Sequence, residues 1–306
     1  MEPKPPFSWT KWGLLGVLAL IWGSSFILMK RGLFHAGPGG ELLPVLGPFQ
    51  MASARLLIAW LALLPLLFRY YPLLRLHWRP ILGTGLLGNG IPAFLFATAQ
   101  SRIDSSLSGM LNSLTPLFTL LVGAVLFGNR IRGVHVAGIL LGLTGAVGLI
   151  AYRTTDGAPP WTPYALLPIA GTLCYGISGN IVKKHLYMLP AAATATLALT
   201  VVGPAGLVGV FLTDLPGTLA THPQAWRSLG FVALLAVFGS AISLVLWNAL
   251  LKRSSAVWAS SVTYLMPVVA IGWGLLDGEP MSVGQWAMIA VVFLGVYLVN
   301  LAERSV

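Results

Sequence analysis

The chain has 306 residues, of which 57% are apolar and only 8% charged, with a mean hydropathy of +0.84, whereas soluble domains carry about 25% charged residues. This composition excludes a soluble globular fold and predicts an all-α integral membrane protein. The net charge of +10 does not point to nucleic acid, because the basic residues fall in ones and twos beside apolar runs, and the single Cys174 excludes a disulfide framework or a cysteine metal site.

A hydrocarbon core of about 30 Å needs roughly 20 helical residues. Ten segments qualify: 11–29, 48–68, 81–101, 105–127, 133–152, 162–182, 191–212, 229–251, 256–276 and 283–301. The first follows Lys4 and Lys11 as a signal peptide would, but it has no small-residue cleavage site and continues to Met29, so it reads as an uncleaved helix. Trp22, with Ser25 close behind it, lies too deep for the interfacial aromatic belt, to which Trp9, Trp12, Trp78, Trp161 and Trp226 are assigned. The second segment holds Arg55, the one charge placed within a span, seven residues or about 10 Å from its start. Its natural ligand is a carboxylate or phosphate; snorkelling, or pairing with Asp104 or Asp277, is the alternative.

In the third segment Gly85, Asn89, Pro92, Phe96 and Gln100 share a face, and Asn89-Gly90 and Pro92 interrupt regular helix. A loosened helix there either offers backbone groups to a ligand or is a packing kink. Gly83 to Gly88 matches the dinucleotide-binding pattern, but no strand precedes it, so it reads as a packing cluster. Ser105, Ser108, Asn112, Thr115 and Thr119 form a polar stripe on one face of the fourth helix, lining a pathway or bonding neighbouring helices. Gly138, Gly142, Gly145 and Gly148 predict a small-residue interface in the fifth. The sixth carries Tyr175 and Ser178, the eighth Ser240, Ser243 and Trp247 on one face with Asn248 beside them, and the ninth Trp258 and Tyr264.

The chain repeats itself. Trp22 to Leu33 (WGSSFILMKRGL) returns as Tyr175 to Leu186 (YGISGNIVKKHL), and Arg102 to Pro116 returns as Arg253 to Pro267 at a shift of 151. The division falls into residues 1–155 and 156–306. Five spans per half is odd, so the second half enters the membrane from the opposite face and the repeats are inverted. Charge bias places both termini in the cytoplasm: Lys4, Lys11, Arg69, Arg75, Arg79, Arg130, Arg132, Lys183, Lys184, Lys252, Arg253 and Arg304 fall inside against Lys30, Arg31, Arg102, Arg153 and Arg227 outside. Glu41, Asp104, Asp156, Asp214, Asp277 and Glu279 also fall outside. Lys30-Arg31 and Lys183-Lys184 then lie on opposite faces, where cations suit helix carboxyl ends.

The WGSSFILMKRGL start, the second helix ASARLLIAWLALLPLL and the block LNSLTPLFTLLVGAVLFGNRIRGVHVAGILLGLTGAVGLI, with its second-half partner, resemble the EamA-type members of the drug/metabolite transporter superfamily over residues 11–301. The resemblance implies ten helices, cytoplasmic termini, a multi-pass protein of the bacterial inner membrane, and export of small metabolites, often amino acids. The second half departs from the pattern with bulky Trp247, Trp258 and Tyr264.

The expected function is therefore export of small amphipathic metabolites, chiefly neutral or aromatic amino acids, by alternating access through a central cavity lined by the first, third, fourth, sixth, eighth and ninth helices. The candidate binding residues are Trp22, Ser25, Arg55, Asn89, Phe96, Asn112, Thr115, Tyr175, Ser178, Ser243, Trp247, Asn248 and Tyr264. A cationic-drug exporter is the nearest alternative but wants a buried carboxylate; a nucleotide-sugar carrier wants several cavity cations; an intramembrane enzyme wants a base beside its nucleophile; a static pore stays open as a reading. No Asp, Glu or His falls near the centre of a span, so no proton relay is expected and flux follows the substrate gradient. The expected partners are a small-molecule substrate and membrane lipid, with no nucleic acid, no metal, no cofactor and a monomer as the working unit.

Overall fold

A computed structural model describes residues 9–37, 39–103, 105–151, 162–276 and 282–304. Lys4, Asp104, Arg153, Asp156, Trp161, Asp277 and Glu279, and the division between residues 155 and 156, lie outside the described residues. α1 (Trp9–Leu33) leads into a short antiparallel hairpin of β1 (Phe34–Ala36) and β2 (Leu42–Pro44), with His35 opposite Leu43. α2 (Pro48–Gly85) begins on Pro48, whose fixed φ and missing N–H suit a first helical turn.

Where the sequence predicts two spans, 48–68 and 81–101, the helix continues from Pro48 to Gln100. The connecting stretch is helical because it is amphipathic: Leu67, Tyr70, Leu73 and Leu74 pack on the apolar core, while Arg69, Arg75 and Arg79 are exposed. It kinks at His77 (φ −123°, ψ 26°), since Pro80 has no N–H for the carbonyl of Leu76. A π-helical turn at Leu86–Gly90 then precedes α3 (Ile91–Gln100), which is the loosening expected around Asn89.

The predicted fourth span is two helices, α4 (Ser105–Asn112) and α5 (Thr115–Phe127). Pro116 cannot donate to the carbonyl of Asn112, and the Thr115 hydroxyl donates to it instead at 2.7 Å. α5 stops at Gly128, whose φ of +73° makes a left-handed cap. There follow α6 (Gly133–Ala151), α7 (Leu166–His185), α8 (Ala191–Leu212), the short α9 (Leu215–Thr221), α10 (Ala225–Ala236), a second π-helical turn at Val237–Ile242, α11 (Ser243–Leu251), α12 (Ala256–Ser260), α13 (Val262–Leu276) and α14 (Val283–Arg304). Ser255 caps α12 by accepting from Trp258 N at 3.1 Å.

Among the described residues five helical runs are long and apolar enough to cross a membrane: Trp9–Leu33, Pro48–Gln100, Pro163–His185, Ala191–Leu212 and Ala225–Leu251; the apolar stretches Thr115–Phe127, Gly133–Gly148, Ala256–Val269 and Val283–Val299 are shorter. Phe68, Val125, Leu212 and Val283 are among many large apolar side chains left exposed, a surface suited to lipid.

α2 packs against α8, α6 against α14, α1 against α13 and α10, and α7 against α5 and α3. α1 crosses α13 where Gly23 meets Val269 and the Met266 carbonyl, and α7 crosses α5 where Gly176 meets the backbone of Phe118 and Thr119. Val269 lies 151 positions after Phe118, so one crossing is used twice. The α6 glycines form the expected interface, with Gly138, Gly145 and Gly148 against Val299, Val292 and Met288 of α14. Two apolar cores result: one holds Leu15, Leu18, Val182, Leu250 and Trp258, the other Met29, Leu33, Phe96, Leu199 and Val232. Both take part of α1, and the stretch of α1 between them faces a cavity.

Candidate functional site

That cavity has a volume of about 130 Å³. α1 supplies Trp22, Ser25, Phe26 and Met29, and α2 supplies Arg55 and Thr84. The first π-turn gives Gly88 and Asn89, and the second Gly239 and Ser240. Phe96, Asn112 and Thr115 come from α3 to α5, Tyr175, Ser178 and Val182 from α7, and Ser243, Trp247 and Asn248 from α11. Twelve of the thirteen residues chosen from sequence thus share one wall.

Tyr264 does not. Its ring seats on Gly142 of α6 and its hydroxyl donates to the Ile139 carbonyl at 3.2 Å, so it joins α13 to α6 away from the cavity. Trp258 is likewise fully buried, edge-on to Trp12 at 5.3 Å. The faces read from sequence are also divided by the structure. In the third segment Asn89 and Phe96 reach the cavity, while Gly85 abuts the Ala198 carbonyl of α8. In the polar stripe Asn112 and Thr115 reach it, while Thr119 donates back to Thr115 O at 2.8 Å and its own carbonyl accepts from Asn180 Nδ2 at 2.9 Å.

The wall is organised by two aromatic pairs. Trp22 and Trp247 approach at 5.6 Å, and Phe96 stacks on Tyr175 at 5.8 Å with 18° between the planes. The second pair fits because Gly171 faces the Phe96 ring, where a Cβ would collide. The second π-turn supplies a carbonyl that regular helix would withhold, since Trp22 Nε1 donates to Gly239 O at 3.1 Å.

Most hydroxyls are already engaged. Ser25 donates to Ile21 O (2.9 Å), Thr115 to Asn112 O (2.7 Å) and Ser243 to Ser240 O (3.4 Å), while Thr84 and Ser178 bond each other across α2 and α7 at 2.7 Å. The amides are not. Among the described residues Asn89 Nδ2, Asn112 Oδ1 and Asn248 Oδ1 are buried without a partner, although Asn248 Nδ2 donates to Leu244 O at 2.7 Å and Asn112 Nδ2 approaches Met266 Sδ at 3.5 Å. Among the described residues Arg55 makes one hydrogen bond, from Nε to Ser240 Oγ at 2.8 Å, and the cavity wall holds no Asp, Glu, Lys or His. Unpaired buried amides and an unneutralised guanidinium are costly in a finished core; facing a cavity, they are groups for a ligand to satisfy.

Several wall residues were not chosen from sequence: Thr84, Ser240, Thr263 and Met266. The repeat shift of 151 contains the signal for three of them, because it carries Asn89 to Ser240, Asn112 to Thr263 and Thr115 to Met266. Thr84 offers only its helical spacing of four from Gly88.

The chain matches the EamA-like transporter family twice, over residues 10–151 and 162–301. It is 30% identical to an uncharacterized inner membrane transporter, YedA, of Escherichia coli strain K12, covering 95% of this chain and 90% of that protein. It is 26% identical to a probable amino-acid metabolite efflux pump of Salmonella typhimurium, covering 94% and 93%. A solved crystal structure matches the fold with a TM-score of 0.69 at 20% identity, over 95% of this chain and 96% of that one. The chain therefore belongs to the EamA-like transporter family of the drug/metabolite transporter superfamily, and is a multi-pass inner membrane transporter rather than an enzyme.

Proposed function

We propose that this protein exports small amphipathic metabolites, neutral or aromatic amino acids foremost, by alternating access between two inverted halves of five spans each, with both termini cytoplasmic. The observation that carries the reading is a cavity wall written twice. Asn89 and Ser240, Phe96 and Trp247, Asn112 and Thr263, and Thr115 and Met266 each lie 151 positions apart, and all eight line the cavity. A pseudo-two-fold through such a site gives two related conformations opening to opposite faces. The paired packing of α1 on α13 and α7 on α5 supports the same axis.

The substrate class is supported by the chemistry of the wall, in which aromatic faces suit an apolar side chain and Arg55, Asn89 and Asn112 suit a polar end. Similarity to proteins named as amino-acid metabolite efflux pumps agrees with it. Reconstitution in liposomes against a panel of amino acids, nucleosides and organic cations tests the reading. Saturable flux and counter-exchange of phenylalanine or leucine are the expected result. Flux that never saturates would make the protein a pore, and transport of organic cations in place of amino acids would make it a drug exporter.

A further inference from the structure

The polar atoms left free around the cavity are unequal. Arg55 is a full positive charge with five N–H donors, and among the described residues only its Nε is engaged, by Ser240. Everything that could meet a positive ligand group is neutral: the unpaired Asn112 Oδ1 and Asn248 Oδ1, and the faces of the aromatic pairs. Among the described residues no carboxylate stands in the wall to offset Arg55.

Resting on the export reading above, we infer that the cavity recognises the carboxylate of its substrate and not the amino group, so its ligands are apolar monocarboxylates with or without an amine. A carboxylate neutralises the buried guanidinium and takes its forked donors in a charge-assisted pair. An ammonium group on the same ligand gains amide and ring contacts, which rank the amino acid above its deaminated counterpart without being required. A ligand with the ammonium alone places a second cation beside an unpaired first one and is rejected. Aryl- and branched alkyl-carboxylic acids, including 2-oxo acids, therefore belong to the class; the corresponding amines do not.

The test uses the purified full chain in detergent, because small organic acids and amines cross bilayers unaided. Binding is read by titration calorimetry and by the ligand-induced shift in melting temperature. The probes share one ring: phenylalanine, 3-phenylpropionate and phenethylamine. Phenylalanine and phenylpropionate should bind with dissociation constants within about tenfold of each other, and phenethylamine should give no shift. Arg55→Gln should weaken both acids by about thirtyfold or more, whereas Asn112→Ala should weaken phenylalanine more than phenylpropionate. Should Arg55→Gln fail to fold, the probe ranking on the unaltered protein decides alone. Phenethylamine binding as tightly as phenylpropionate, or acid binding that survives Arg55→Gln, overturns the inference while leaving export intact. Binding of both acids with no flux in liposomes upholds the inference and overturns the export reading; binding of none of the three overturns both the inference and the amino-acid assignment.

Discussion

Gly13 and Gly176 sit in comparable helices and predict opposite outcomes. A Cβ at Gly176 would lie 2.9 Å from Thr119 N and 3.0 Å from Phe118 C, and backbone atoms cannot rotate away. Gly176→Ala should therefore lower stability by about 1–3 kcal/mol by prising α7 from α5, measured as thermal unfolding in detergent. Gly13 has nothing within 4 Å of such a Cβ, so Gly13→Ala should leave the melting temperature unchanged or slightly raised. At the cavity, Trp22→Ala removes the ring paired with Trp247 and the donor to Gly239 O, and Asn112→Ala removes an unpaired acceptor. Each should reduce transport without reducing expression; normal transport by both would discard the site. The shared wall was legible because helical spacing puts amides and aromatic rings on one face of each span. Tyr264 was misassigned because its seat is Gly142, over a hundred positions away, and nothing in the ninth helix itself tells a cavity from a glycine notch.

At the level of elements the apolar, helical character of the chain was legible, and the internal breaks of its helices were not, because a break depends on which groups satisfy the backbone. Pro116 interrupts the fourth stretch, and the interruption is tolerated because the Thr115 hydroxyl takes the Asn112 carbonyl at 2.7 Å. Pro267 poses the same problem for the Thr263 carbonyl, which receives the Ser113 hydroxyl from the other half at 3.4 Å. A double-mutant cycle follows. Thr115→Val should orphan the Asn112 carbonyl and cost about 1–3 kcal/mol. In a Pro116→Ala background, where the restored N–H can reach that carbonyl, the same change should cost clearly less. Additive losses in thermal or denaturant unfolding would show that the hydroxyl is not what satisfies the break. The helical link between 48–68 and 81–101 was missed for a related reason: three arginines mark the end of a span by charge, yet their spacing also leaves Leu67, Tyr70, Leu73 and Leu74 on a partly buried stripe.

Across the whole molecule the wall's chemistry and the proposed inversion of the halves make separable predictions. With no Asp, Glu or His among the lining residues, collapse of the proton gradient in liposomes should leave flux down a substrate gradient unchanged; arrest of that flux would require a titrating group elsewhere. The inverted arrangement is tested by placing cysteines at matching ends of the repeat. Lys30 and Lys184 are both exposed, near the ends of α1 and α7, whereas Lys183 is partly buried and donates to the carbonyls of Leu251 and Ser254, so Lys184 is the better reporter. Cys174 is the only cysteine and can be replaced by serine to give a silent background. In intact cells a membrane-impermeant thiol reagent should label Lys30→Cys and spare Lys184→Cys, which should react only after permeabilisation. Because α1 and α7 carry equivalent sequence in the two halves, labelling of both from one face would make the halves parallel. The proposed symmetry between an inward and an outward opening would then be lost, and the proposed alternating access would need another origin.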